Sequence, residues 1–136
     1  MSRSNDYISP ATKKKVAQRA GYVCEYCLLP ESDSYHRYEV DHIISLKHDG
    51  PSDSSNLVYA CIDCNRSKGS DLASIDWSTK QIVRFFNPRI DAWSDHFPVA
   101  GGQIEPKTVI GKVTAKIFKF NEGERPDERF YYLSDN

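Results

Sequence analysis

No apolar run in this 136-residue chain approaches the ~20 residues that a membrane span needs. The opening residues, MSRSNDYISP, lack the apolar core of a signal peptide, so a cytoplasmic protein without membrane attachment is the expectation. An excess of one charge is missing too. Eighteen Lys and Arg stand against nineteen Asp and Glu, and a net charge of −1 is a poor bulk signature for gripping phosphates. Internal repeats, low-complexity tracts and a clear linker are absent as well. One domain over residues 1–136 is therefore expected, since this length buries one modest core and not two. Cysteine is scarce, with four residues in all. In a reducing compartment those four are metal ligands or thiols rather than disulfides.

The charge that is present is unevenly spread. Arg3, Lys13, Lys14, Lys15 and Arg19 face only Asp6 among residues 1–20. Arg66, Lys68, Lys80, Arg84 and Arg89 face Asp71 and Asp76 among residues 64–89. Such segregation permits a basic face on a neutral molecule, although a scatter of solvated charge is the bland alternative. Ser9-Pro10 reads as a helix cap with proline at the first helical position, and Gly21 as that helix's end.

Cys24-x2-Cys27 and Cys61-x2-Cys64 are two knuckles separated by 33 residues. Zinc takes four soft ligands in a tetrahedron, and a two-residue gap lets each pair bite one ion. A single such pair might be a redox centre, but that requires a βαβ context this sequence lacks. A structural Zn²⁺ on Cys24, Cys27, Cys61 and Cys64 is expected. With four cysteines it has no open position for water, so it staples the fold and leaves the chemistry to other groups.

Between the knuckles the sequence predicts a strand over Tyr38–Ile44, a loop over 48–55, and a second strand over Leu57–Ala60. A helix follows the second knuckle and ends near Gly69. Phosphodiester hydrolysis needs a base for water and a Lewis acid for the charge that develops. His42 is the side-chain type that is a neutral base near pH 7 without special tuning. Asp41 precedes it on the strand and so points to the opposite side, which separates base from metal ligand as an in-line displacement requires. Asn65 offers a second, neutral oxygen from the helix. Oxygen ligands suit Mg²⁺ or Mn²⁺. Lys68 lies three residues beyond Asn65 on the same helical face, so it is preferred to Arg66 as the phosphate contact. Glu39 is open, either assisting the metal from Asp41's side or standing as an exposed strand acid. His36 and His48 read as loop histidines. The bland alternatives are a half-buried strand histidine for His42, a salt-bridge carboxylate for Asp41, a helix cap for Asn65 and an ordinary loop residue for Asn56.

Together, Cys24-x2-Cys27, Glu39-x-Asp41-His42-Ile43-Ile44, Asn56-Leu57 and Cys61-x2-Cys64-Asn65-x2-Lys68-Gly69 resemble the HNH endonuclease family, in its four-cysteine branch. The family's first His falls on His42 and its Asn on Asn56, while its last position is Asn65 rather than His. The resemblance implies a metal-dependent endonuclease acting on DNA, duplex by expectation, with His42 and Asn56 in catalytic positions. It implies that Asn56 hydrogen-bonds across the loop and fixes the backbone that orients the base. One site cuts one strand, so a double-strand break would need a homodimer or successive nicks.

The expected fold is α+β: a ββα-metal, treble-clef-like core over about 10–72, with a mixed α/β extension over about 73–136 packed on it. In the extension, Ile82–Phe86 reads as a strand and Asn87-Pro88 as a break. Asp91–His96 reads as a short helix, Gly101-Gly102 as a hairpin turn, and a helix runs from Thr108 with Val109, Val113, Ile117 and Phe120 on one face. Phe85, Phe86, Trp93 and Phe97 read as a small satellite core, and Arg84 and Arg89 as an extension of a phosphate track. The rival reading is a zinc-stapled nucleic-acid-binding or adaptor module without catalysis. Neutral net charge supports the adaptor form, and the joint presence of Asp41, His42 and Asn65 argues against a nucleic-acid-binding module without catalysis.

Overall fold

Ser9 Oγ accepts the Thr12 amide at 3.1 Å and Pro10 fixes the first helical φ, which starts α1 (Pro10–Arg19). The computed structural model describes residues 7–33 and 37–134, so His36 and Arg3 lie outside the described residues. Helix α1 buries Val16 and Ala17 and leaves Lys13, Lys14 and Lys15 exposed. The chain then turns through Gly21, at φ +66°, into the first knuckle.

Strand β1 (Glu39–His42) pairs antiparallel with β2 (Leu57–Ala60), Glu39 opposite Ala60 and His42 opposite Leu57. The strand is shorter than the sequence predicts, for a local reason. Beyond His42 the Ile43 amide donates to the Asn56 carbonyl, and the Ile44 amide donates to the Asn56 side chain instead of a ladder partner. All four residues of β2 are buried. Helix α2 (Ile62–Lys68) follows directly, packs against β1 and stops at Gly69, whose φ of +53° favours glycine. Two strands and one helix, with α1 against the strands, make the ββα unit.

The extension begins with a hairpin, β3 (Ala73–Asp76) and β4 (Gln81–Arg84), then α3 (Trp93–His96). A two-residue hairpin, β5 (Val99–Ala100) and β6 (Gln103–Ile104), turns on Gly101-Gly102. Helices α4 (Val109–Ile117) and α5 (Arg125–Ser134) complete it, α4 against β3 and β4, α5 against β6. Thr108 caps α4 by accepting the Gly111 amide at 3.0 Å. The helix stops at Ile117, and Lys119 at φ +58° redirects the chain, so Phe120 is buried from outside the helix. Val109, expected on the buried face, is 47% exposed at the helix start.

The aromatic cluster is not a satellite. Phe85 stacks edge-on against Phe118 at 5.1 Å, and Phe118 against Tyr26 of the first knuckle at 4.9 Å, so one core runs through both halves. Trp93 Nε1 donates to the Tyr26 carbonyl at 2.9 Å, a further stitch between them. No helix among the described residues is long and apolar enough to cross a membrane.

Candidate active site and zinc centre

Cys24, Cys27, Cys61 and Cys64 are all buried, and their sulfurs lie within 4.8 Å of one another. The two knuckles repeat one local device. The Cys27 amide points at Cys24 Sγ at 3.5 Å, and the Cys64 amide at Cys61 Sγ at 3.4 Å. Across the knuckles Cys27 Sγ and Cys61 Sγ are 3.7 Å apart. A tetrahedron with Zn–S of ~2.3 Å places its sulfurs ~3.8 Å apart, so donor type and spacing both fit zinc. Glu25, inside the first knuckle, ties it to β2: its amide donates to the Tyr59 carbonyl and its carboxylate accepts the Tyr59 amide, each at 3.0 Å.

His42 is buried to 8% exposure at the end of β1, with Nε2 2.8 Å from Ser52 Oγ in the following loop. That loop is held by Asn56. Its Oδ1 accepts the Ile44 amide at 2.9 Å, and its Nδ2 donates to the Ile44 and Pro51 carbonyls, both at 2.9 Å. The amide therefore spans the loop from both sides, a task that needs donor and acceptor together. Gly50 makes the closure possible. A Cβ there would lie 1.7 Å from the Ile44 carbonyl oxygen and 2.9 Å from Asn56 Nδ2. Sequence reasoning passed over Gly50, whose only signal was its place in a turn-rich run.

On α2, Asn65 Nδ2 reaches the Ala60 carbonyl at 3.5 Å, while its Oδ1 is buried without a hydrogen-bond partner. Lys68 Nζ and the Tyr26 hydroxyl are likewise buried without partners. Burial pushes the Lys68 ammonium pKa down, and the carboxylates of Asp41 and Asp71 partly offset that. Burial pushes the Tyr26 hydroxyl up, with Cys24, Asp41 and Cys64 adding to it. Asp41 is thus electrostatic neighbour to both. Lys68 also lines a cavity of about 270 Å³ with Ile43, Ile44, Leu72, Phe85 and Phe86, where the extension closes against the ββα unit.

The cations separate by position. Arg66 is exposed, whereas Lys68 is 3% exposed, so the shared face with Asn65 takes Lys68 inward rather than to the surface. Arg84 forms a two-pronged ion pair with Asp91 at 2.8 and 2.9 Å, and Arg89 pairs with Glu25. The first pair lies within the extension and the second ties the extension to the first knuckle, which removes both cations from a free phosphate track. Glu39 is exposed on β1, and His48 sits exposed in a short turn.

Two residues missed by sequence reasoning come from α5. Arg125 Nη2 lies 3.1 Å from Cys64 Sγ, and Arg129 Nε donates to the Cys27 carbonyl at 2.8 Å. Their signal was an Arg-x3-Arg spacing in a stretch that reads as solvated charge.

A model of the HNH endonuclease family matches residues 24–71, the stretch that holds both knuckles, β1, β2 and α2. That stretch is thus similar to an HNH endonuclease domain, and the four-cysteine cluster is consistent with the zinc-binding branch. No curated protein and no solved structure matches the chain.

Proposed function

We propose, from the similarity of residues 24–71 to an HNH domain, that this chain hydrolyses DNA phosphodiesters with His42 as general base and a divalent cation held by Asp41 and Asn65. The observation that carries the reading is the buried, unpartnered Asn65 Oδ1 on the helix packed against Asp41's strand. An acceptor orphaned in the interior costs about 1–3 kcal/mol, and a cation is a partner that removes this cost. One carboxylate and one neutral oxygen suit Mg²⁺ or Mn²⁺, which keep waters in their remaining positions. When bound, such a cation supplies Lewis-acid stabilisation of the charge that builds on phosphate and leaving group.

The chain's own groups do the rest. In the tautomer whose Nε2–H donates to Ser52 Oγ, 2.8 Å away, His42 keeps its lone pair on Nδ1, and Nδ1 takes the proton as water attacks phosphorus. Asn56 and Gly50 hold the loop that orients this ring. Asp41, next on β1, faces the other way, so base and cation act from opposite sides of the phosphate. Lys68 places positive charge beside Asp41, and the adjoining apolar cavity accepts the sugar or base next to the scissile phosphate. Exposed Arg66 and Lys13–Lys15 supply outer phosphate contacts.

Supercoiled plasmid incubated with Mg²⁺, Mn²⁺ or EDTA tests this. Nicking that requires the metal is expected. Plasmid retained on the protein but left intact in every metal supports the non-catalytic binding module instead.

A further inference from the structure

Arg125 and Arg129 stand four residues apart on α5 and so share one face, yet that face is the buried one: they are 8% and 0% exposed. Their partners differ. Arg129 spends its guanidinium on carbonyls, those of Cys27 at 2.8 Å, Gly102 at 2.6 Å and Phe120 at 2.8 Å. Arg125 Nη1 donates to the Phe118 and Lys119 carbonyls, both at 2.7 Å, and this aims Nη2 at sulfur. Nη2 is 3.1 Å from Cys64 Sγ and 4.0 Å from Cys61 Sγ.

Two guanidiniums inside a core need compensating negative charge. Four thiolates around one Zn²⁺ carry a formal −2, which matches the two arginines in size and in place. We propose that Arg125 is an outer-sphere member of the zinc centre. Its N–H···S bond to Cys64, together with the charge of the α5 arginines, neutralises the tetrathiolate, so that the C-terminal helix as well as the knuckles holds the metal. This rests on the zinc reading and is independent of the nuclease reading. The physical basis is that a donor at a thiolate draws electron density from sulfur, which lowers its basicity and slows its capture by protons, oxidants or competing metals. Cys64 also precedes Asn65 in the first turn of α2, so the same contact fixes the start of the helix that carries a proposed metal ligand.

The test uses full-length, zinc-loaded protein and two readouts that need no DNA. One is the rate of zinc transfer to a chromogenic chelator. The other is the sulfur-to-metal charge-transfer band of the Co²⁺-substituted protein. Arg125→Met and Arg125→Gln should release zinc about 10–100-fold faster, the range typical of lost outer-shell partners. Both should move the cobalt band to lower energy, and Arg125→Lys should restore part of each effect. Arg129→Met removes an equally buried charge whose shortest hydrogen bonds go to carbonyls and which acts on the thiolates mainly through charge, so its band should move less than in the Arg125 variants even if stability falls. Should the Met variant not fold, the Gln variant carries the comparison. A wild-type band and release rate in the Arg125 variants would overturn the proposal. So would equal acceleration in the Arg125 and Arg129 variants without a band shift, which marks a packing role alone, or a wild-type protein that holds no zinc.

Discussion

Replacing Asn56 by alanine removes the amide that closes the loop after β1. Three hydrogen bonds disappear, each 2.9 Å long, two to Ile44 and one to Pro51, from a side chain only 6% exposed. At about 1 kcal/mol net per bond the loss is about 3 kcal/mol. Pro51 is exposed, so water can rescue its carbonyl, whereas Gly50 packs over the Ile44 carbonyl and leaves no such room. A range of about 2–4 kcal/mol follows, or a fall in Tm of about 10 °C for a domain of this size. Urea unfolding at fixed free zinc measures it, and the m-value should stay constant because the loop is a small part of the buried surface. Activity should fall further than stability alone explains, since Ser52, which meets His42 Nε2, rides on the same loop. A midpoint shift worth less than about 0.5 kcal/mol would show that the loop does not depend on the amide.

Other perturbations separate the remaining roles. Cys27→Ser should abolish the single equivalent of bound zinc and the cooperative transition with it, because zinc affinity in such small domains is folding free energy; metal analysis and calorimetry read both. Asn65→His adds an imidazole and should shift the metal ranking in plasmid nicking from Mg²⁺ or Mn²⁺ toward Ni²⁺ or Co²⁺. An unchanged ranking would return Asn65 to the role of a helix residue and direct attention to Glu39. Lys68→Met should be at least as stable as wild type at neutral pH, because it removes an ammonium buried without a partner. Burial lowers the folded pKa of Lys68 below 10.5, so between the two values the unfolded chain binds more protons and wild-type stability rises with pH. The advantage of Lys68→Met should therefore shrink as pH rises through that window, and parallel pH–stability curves would contradict the assignment. Arg66→Ala should weaken DNA retention and lower its salt dependence by about one phosphate contact, as measured by binding at several salt concentrations.

The ββα unit was legible because its local signals agree. Ser9-Pro10, the alternation through Asp41-His42, the buried run Leu57–Ala60 and the Gly69 stop each name one structure. The knuckle spacing is equally direct, since four thiols at two-residue gaps have few uses. Lys68 was harder. Helical periodicity places it with Asn65 correctly, but only packing of the extension over that face decides whether the ammonium meets solvent or the interior. Helix α5 was illegible for a physical reason. Its buried face is arginine, so a search for apolar periodicity finds charge instead, and the partner of Arg125 is a cysteine of the second knuckle 61 residues away in sequence. Strand β3 failed similarly, as Ala73–Asp76 is short and mixed in polarity and is specified by pairing with β4.

His42 as the base of a metal-dependent nuclease is put to the test by the nicking of supercoiled plasmid with His42→Ala. Beside wild type in Mg²⁺ or Mn²⁺, the variant should keep its fold, zinc and DNA affinity while losing about 10²–10⁴-fold in nicking rate, the range that general base catalysis supplies. A His42→Ala protein that nicks at the wild-type rate, or a wild type equally active in EDTA, would contradict it.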